Sequence, residues 1–260
     1  LEILYFFNYN DANLNEFNYV ILRALFALLS AFLLIILIGK KTIKTLKNNN
    51  IREFIRSDGP QSHHKKKGTA TMGGILIIFA FIINSLIWVD LCNIYLWVII
   101  FTAVSFALIG FVDDYIKVKQ ISIKGISAYK KLIAQSILTL IIIAFLIYNK
   151  SVPLNTDLFI PFIKYDLKIY LALFVIIAYL LIVGTSNSTN LTDGLDGILT
   201  ILFITITIGV AIFAYISGNY ELATNFNLPY IVGAQELFII SAALIGAGLG
   251  FLWFNAHPAT

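Results

Sequence analysis

Two adjacent carboxylates, Asp113 and Asp114, follow Gly110-Phe111-Val112 and precede Tyr115. They stand where a long apolar run ends, and adjacent carboxylates repel each other. The partial negative charge at a helix C-terminus adds to that penalty. Something cationic must offset them. One reading is a solvated pair balanced by Lys117 and Lys119. The other is a divalent cation. Hard Mg²⁺ takes one or two carboxylates and completes its shell with waters and substrate phosphates.

A second polar cluster is Asn187-Ser188-Thr189-Asn190-Leu191-Thr192-Asp193-Gly194-Leu195-Asp196-Gly197. Asn, Asp and Gly make turns, and Gly194 and Gly197 permit positive φ. A plain turn needs only two or three such residues, so the density here favours ligand contact. It is not a calcium loop of the EF-hand kind, because the spacing and the closing Glu are absent. A third segment runs from Ser57-Asp58-Gly59-Pro60 through His63-His64-Lys65-Lys66-Lys67 to Gly68-Thr69-Ala70-Thr71-Met72-Gly73-Gly74. Its lysines anchor a membrane edge or bind anionic lipid. Followed by Gly and Thr before a helix start, they also suit a phosphate, since free backbone amides at a helix N-terminus attract anions. Asn255 is the fourth polar feature.

The elements that must position these residues are apolar helices. Hydrophobic residues make up 59% of the 260 and charged residues 12%, whereas a soluble domain carries about 25% charged residues. The bilayer must therefore act as solvent. The single cysteine, Cys92, excludes an internal disulfide and a cysteine zinc site. Residues 1–18 contain no Lys or Arg, so no cleavable signal peptide is expected. A span needs about 20 apolar residues. Seven are expected: Val20–Gly39, Met72–Val89, Tyr95–Val112, Leu132–Tyr148, Ile169–Gly184, Ile198–Ser217 and Leu237–Phe254. Backbone groups in hydrocarbon must pair within the segment, and these runs lack the period-two alternation of barrel strands. The fold class is all-α, a polytopic transmembrane helix bundle forming a single membrane domain over residues 1–260.

Fourteen of the eighteen Lys and Arg residues fall in two segments, between spans one and two and between spans three and four. The positive-inside rule places both in the cytoplasm. The N-terminus is then outside and the C-terminus inside, and all four polar features share the inner face. Residues 149–168 form an outer turn or hairpin, and 218–236 form an outer loop holding Glu221 and Glu236. Arg23 lies near the outer end of span one. The inner ends of spans three, five and seven are expected to converge on one shallow site. Acidic residues for Mg²⁺ and lysines for phosphate beside a hydrophobic wall suggest transfer between a phosphorylated soluble substrate and a lipid phosphate. The spans carry almost no charge, which argues against a transporter.

In this order, these motifs resemble the phospho-N-acetylmuramoyl-pentapeptide transferases of bacterial cell-wall (peptidoglycan) synthesis. The matching stretches are Ser57–Gly74, Gly110–Tyr115, Lys124–Lys131, Gly184–Gly197 and Gly246–Asn255. The resemblance implies transfer of phospho-MurNAc-pentapeptide from UDP-MurNAc-pentapeptide to undecaprenyl phosphate, giving lipid I and UMP, with Mg²⁺ as cofactor. It implies an inner-membrane enzyme with a cytoplasmic active site, a homodimer in the lipid bilayer and no nucleic-acid partner. Asp113, Asp114 and Asp193 are implied to be catalytic, with Asp113 and Asp114 as metal ligands. Lys66, Thr71, Lys131, Asn190, Asp193, Asp196 and Asn255 are implied to bind substrate. Which Asp acts as base, and whether the route is one-step or passes through an aspartyl nucleophile, stays open for a coupled pair.

The family continues past the position of Asn255 into a further acidic, glycine-rich motif, more spans and a histidine-rich loop. The resemblance therefore implies an active site that these 260 residues leave incomplete, in a fragment or a truncated gene product. The alternatives are a UDP-N-acetylhexosamine:polyprenyl-phosphate phosphotransferase, an inactive remnant and, on the charge argument least favoured, a transporter.

Overall fold

A computed structural model of the chain describes residues 16–48, 72–120, 125–149, 156–158, 167–192 and 197–255. Among these, eight helices carry the fold: α1 (Glu16–Asn48), α2 (Gly74–Trp88), α3 (Ile94–Gln120), α4 (Ala128–Tyr148), α5 (Leu171–Thr192), α6 (Ile198–Ser217), the short α7 (Tyr220–Asn225) and α8 (Gln235–Asn255). A two-residue antiparallel pair, β1 (Asp157–Leu158) with β2 (Leu167–Lys168), closes the segment between α4 and α5 as the expected hairpin.

Six helices are long and apolar enough to cross a membrane, namely α1, α3, α4, α5, α6 and α8. The chain is a multi-pass membrane protein. The remaining expected span, Met72–Val89, corresponds to α2, which is shorter, with 15 residues. At 1.5 Å rise per residue it is about 22 Å long, less than a hydrocarbon core of about 30 Å. It stops because Val89 turns extended (φ −92°, ψ 150°), leaving the last carbonyls of α2 to find other partners.

The chain divides into two compact units. The first comprises Leu1–Lys44, Gly73–Trp97 and Thr200–Thr260. Its core lies where α1, α2 and α8 meet around fully buried Ala31, Ile35, Ala80 and Ala247. Small residues allow this close approach, as in other membrane helix pairs. A Cβ on Gly246 would overlap the backbone carbonyl of Leu28, and one on Gly250 would lie 2.9 Å from Ile35 Cβ. Helix α8 is thus hemmed in by its neighbours, with ten of its residues buried, so its uniform apolarity reflects protein contact more than lipid contact.

One end of this unit is fixed by an ion pair. Arg23 on α1 forks onto Glu236 on α8, with Nη1–Oε1 and Nη2–Oε2 both at 2.8 Å. The Arg23 guanidinium also donates to the carbonyl of Trp88, one of those left over at the end of α2. Glu236 Oε2 accepts from Asp90 N–H at 2.8 Å. The guanidinium further lies 5.3 Å from the Tyr19 ring centroid. Glu236 was expected in an outer loop, but it occupies the first turn of α8, where its charge complements the helix dipole. The expectation that the spans carry almost no charge is likewise corrected at this pair, whose side chains are only 10% and 7% exposed. Each charge is fully partnered within the protein, so the pair ties helices together and gives no sign of a transport pathway.

The second unit comprises Thr45–Met72 and Val98–Leu199. Here α4 and α5 pack along each other through a row of polar contacts. Buried Gln135 donates to Ser186 Oγ at 3.0 Å and accepts from Asn187 Nδ2 at 2.9 Å. Ser136 and Tyr179 share a hydrogen bond of 2.8 Å. The Asn187–Thr192 stretch was expected in a short loop. It is instead the last part of α5, where Asn187 finds a partner on α4, and Asn187, Ser188 and Thr189 bond to carbonyls of α5's own backbone, as Asn187 Nδ2 does on Val183 O at 2.8 Å.

Removing one member of a buried ion pair strands the other, at a cost of about 3–5 kcal/mol. Glu236→Ala should therefore lower unfolding stability in detergent by that order. Arg23→Met with Glu236→Met should cost clearly less than the sum of the two single changes. A purely additive double mutant would show that the two charges do not act as a pair.

Candidate active site

The acidic pair lies on α3, but not at its end. The helix continues for six residues past Asp114, to Gln120, because Lys117 and Lys119 are good helix formers and Asp113 pairs with Lys117 one turn on. The expected penalty from a helix C-terminus is thereby reduced, since that effect is confined to the last turn. Burial replaces it as the main cost: Asp113 is 7% exposed, while Asp114 is half-buried.

Both oxygens of Asp113 are engaged. Oδ1 accepts from the Ile126 backbone N–H at 2.7 Å, and Oδ2 lies 2.7 Å from Lys117 Nζ. The same ammonium reaches Asp114 Oδ1 at 3.1 Å. Asp113 thus holds the segment that leads into α4, just before the N-terminus of that helix, where a carboxylate is favoured. Gly125 is required there: a Cβ would overlap Asp113 Oδ1 and come within 2.8 Å of its Cγ. On an exposed face of the same helix, Phe111 and Tyr115 stack with ring centroids 6.2 Å apart. Together with exposed Val112 they form an apolar wall beside the acids.

Helix α4 carries Lys131 in its first turn, half-buried, with its N–H donating to Ser127 O at 3.0 Å. Gln135 follows one turn later on the same side. Through Gln135, α4 holds Ser186 and Asn187, and Asn190 lies three residues further along α5. Within the second unit, Asp113 thus ties α3 to the segment before α4 through Ile126, and Gln135 ties α4 to Ser186 and Asn187 on α5. Asp193, Asp196, Lys66 and Thr71 lie outside the described residues.

The first unit holds the remaining predicted residue. Asn255 is the last residue of α8 and is half-buried. At this end of the unit Phe251 closes over Gly73, where a Cβ would lie 2.7 Å from its ring, and Phe254 closes over Gly39, where it would lie 2.6 Å away. Next to Gly73, Met72 is buried and takes φ +67°. A left-handed non-glycine residue costs of order 1 kcal/mol and recurs where ligands are held. Gly73 thus packs against Phe251, which lies one turn before Asn255 on α8.

The sequence reading named Lys117 only as a counter-charge. Its signal was present: a Lys three and four residues after two carboxylates bridges both if the helix continues. Gln135 gave no such signal, since a single amide inside an apolar run looks like any tolerated polar residue.

A family model described as glycosyl transferase family 4 matches residues 96–260, which includes the acidic pair, Lys131 and the polar end of α5. A curated relative, the phospho-N-acetylmuramoyl-pentapeptide-transferase of Vesicomyosocius okutanii subsp. Calyptogena okutanii (strain HA), is 49% identical over 261 residues, covering 100% of this chain and 72% of the relative. The chain belongs to the phospho-N-acetylmuramoyl-pentapeptide-transferase family. It is a membrane-embedded transferase of glycosyl transferase family 4, and its Asp113–Asp114 pair and α5 terminus are among the features by which the sequence resembles this family.

Gly125→Ala tests whether the seat of Asp113 matters to the transferase. The added methyl must push the carboxylate or the chain aside, and a displacement of about 1 Å costs up to about a hundredfold in rate. Transfer activity should fall by at least an order of magnitude while the protein still purifies as a folded species. Unchanged activity would show that Asp113 need not be held by this segment.

Proposed function

We propose that this chain belongs to an enzyme that transfers phospho-MurNAc-pentapeptide from UDP-MurNAc-pentapeptide to undecaprenyl phosphate, giving lipid I and UMP. The observation that carries this reading is the aim of two carboxylates, one buried and one half-exposed, at a single cation within a family of such transferases.

The donor set suits Mg²⁺. Asp113 and Asp114 offer hard oxygens that already converge on one positive centre, and Mg²⁺ needs only one or two carboxylates beside waters and phosphate oxygens. Among the described residues no group of three His, Cys, Asp or Glu could hold a metal, so the remaining ligands would come from substrate and water. When bound, Mg²⁺ supplies charge that offsets the negative oxygens of the donor diphosphate and of the leaving UMP.

The protein's own residues supply position and charge. Asp113, fixed by Ile126 N–H, holds the geometry of the site. Asp114, more exposed, is the carboxylate that can meet the lipid phosphate, whose oxygen attacks the phosphorus next to the sugar as the bond to UMP breaks. Lys131 and Lys66 serve as phosphate contacts, where lysine acts as a point charge. Thr71, Asn190, Asp193, Asp196 and Asn255 line the nucleotide and sugar positions. The apolar wall of Phe111, Val112 and Tyr115 lets the prenyl chain lie against the protein beside the acids. By the positive-inside rule the basic segments favour a cytoplasmic location for this face, on the inner side of a bacterial inner membrane, where a soluble nucleotide sugar arrives.

The test is a transfer assay with both sugar nucleotides. UDP-MurNAc-pentapeptide should be consumed with release of UMP, and a simple UDP-N-acetylhexosamine should not. Asp113→Asn and Asp114→Asn should each lower kcat on the order of a hundredfold or more, as for other electrostatic elements of a catalytic site. Preference for the simple hexosamine donor would overturn the substrate reading, and full activity in either variant would overturn the assigned role.

A further inference from the structure

Lys117 is the member of the acidic site with no role in the reaction as described. Its Nζ sits 2.7 Å from Asp113 Oδ2 and 3.1 Å from Asp114 Oδ1. The spacing of three and four residues along α3 lets one ammonium reach both carboxylates with no change in the backbone. It stands between the oxygens that a metal would use. Resting on the metal reading above, we infer that Lys117 is a resident counter-ion, which a divalent cation displaces and against which that cation must compete.

Three observations carry this. A divalent ion bound by these two carboxylates takes oxygens at about 2.1 Å, and an ammonium bridging the same oxygens repels it at close range. The two cations therefore exclude one another. The Lys117 side chain is 34% exposed, against 10% for Asp113. A flexible, compact ammonium on a half-open stem has somewhere to go. Asp113 is also held through its other oxygen by Ile126 N–H, so the carboxylate keeps its place when Lys117 leaves. The lysine thus neutralises a buried acid while no metal is bound. Once displaced, its charge is free to face the phosphate groups that arrive with substrate.

Mn²⁺ is the probe, with bound and free ion followed by electron paramagnetic resonance in the detergent-purified protein. Lys117→Gln should bind Mn²⁺ tighter by on the order of tenfold, because a competing positive charge is removed from contact range. Lys117→Arg should bind no tighter than wild type, and Asp113→Asn should lose the site. A second readout uses the wild-type protein: acylation of Lys117 by an amine reagent, measured by peptide mass spectrometry, should rise with saturating Mg²⁺ over the level in EDTA. If Lys117→Gln does not purify folded, the acylation arm decides alone. Unchanged or weaker Mn²⁺ binding in Lys117→Gln, or acylation indifferent to Mg²⁺, would overturn the inference. Mn²⁺ binding that still needs Asp113 would leave the metal reading standing in that case. No bound Mn²⁺ in any form would remove both.

Discussion

A polar group surrounded by hydrocarbon has to find its partner inside the protein, because no water is there to take its place. That constraint organises both units. In the first, Arg23, Glu236, Trp88 O and Asp90 N–H satisfy one another. Trp88 also donates through its indole N–H to Ser30 Oγ at 3.0 Å, and Ser30 donates in turn to Asn84 Oδ1 at 2.6 Å. In the second unit, Gln135 does the same for Ser186 and Asn187. Two buried hydroxyls among the described residues, Ser85 and Thr139, are left without a partner, at a cost of about 1–3 kcal/mol each. Apolar contact alone would let membrane helices rotate against one another. These polar pairs set which faces meet.

The acidic site follows the same rule with a different purpose. Asp113 is as buried as the structural polar groups, yet its partners are a backbone N–H and a lysine with a half-open side chain. The N–H belongs to the frame, and the lysine can be exchanged for another cation. Gly125 makes the close approach feasible by offering no side chain. Rigidity on one oxygen and exchangeability on the other are what a phosphoryl-transfer site requires, since catalysis there depends on holding charge in place.

Much of this was legible in the sequence. The apolar runs located the six long helices and the shorter α2, because hydropathy is the property the bilayer selects. The acidic pair and the Asn-rich end of α5 were found by residue type and spacing. The ends of the helices were not legible. Asp113 and Asp114 resemble a helix terminus because the apolar run stops there, whereas hydrogen bonding carries α3 on to Gln120. Asn187–Thr192 read as a loop because their types favour turns, and only the contacts from Gln135 explain why they stay helical. Glu236 read as a loop acid for want of any sign, local in sequence, that Arg23 was its partner.

That last pair has a consequence for how the protein is made. Arg23 and Glu236 are 213 residues apart in the chain, so a ribosome delivers the cation to the bilayer long before its carboxylate exists. Until α8 arrives, the long Arg23 side chain must reach for lipid headgroups and water, as arginines near helix ends do. Helix α1 therefore waits in a provisional position, and the last described helix of the chain fixes the first. A nascent chain that stalls before residue 236 carries an unmatched charge at the membrane edge.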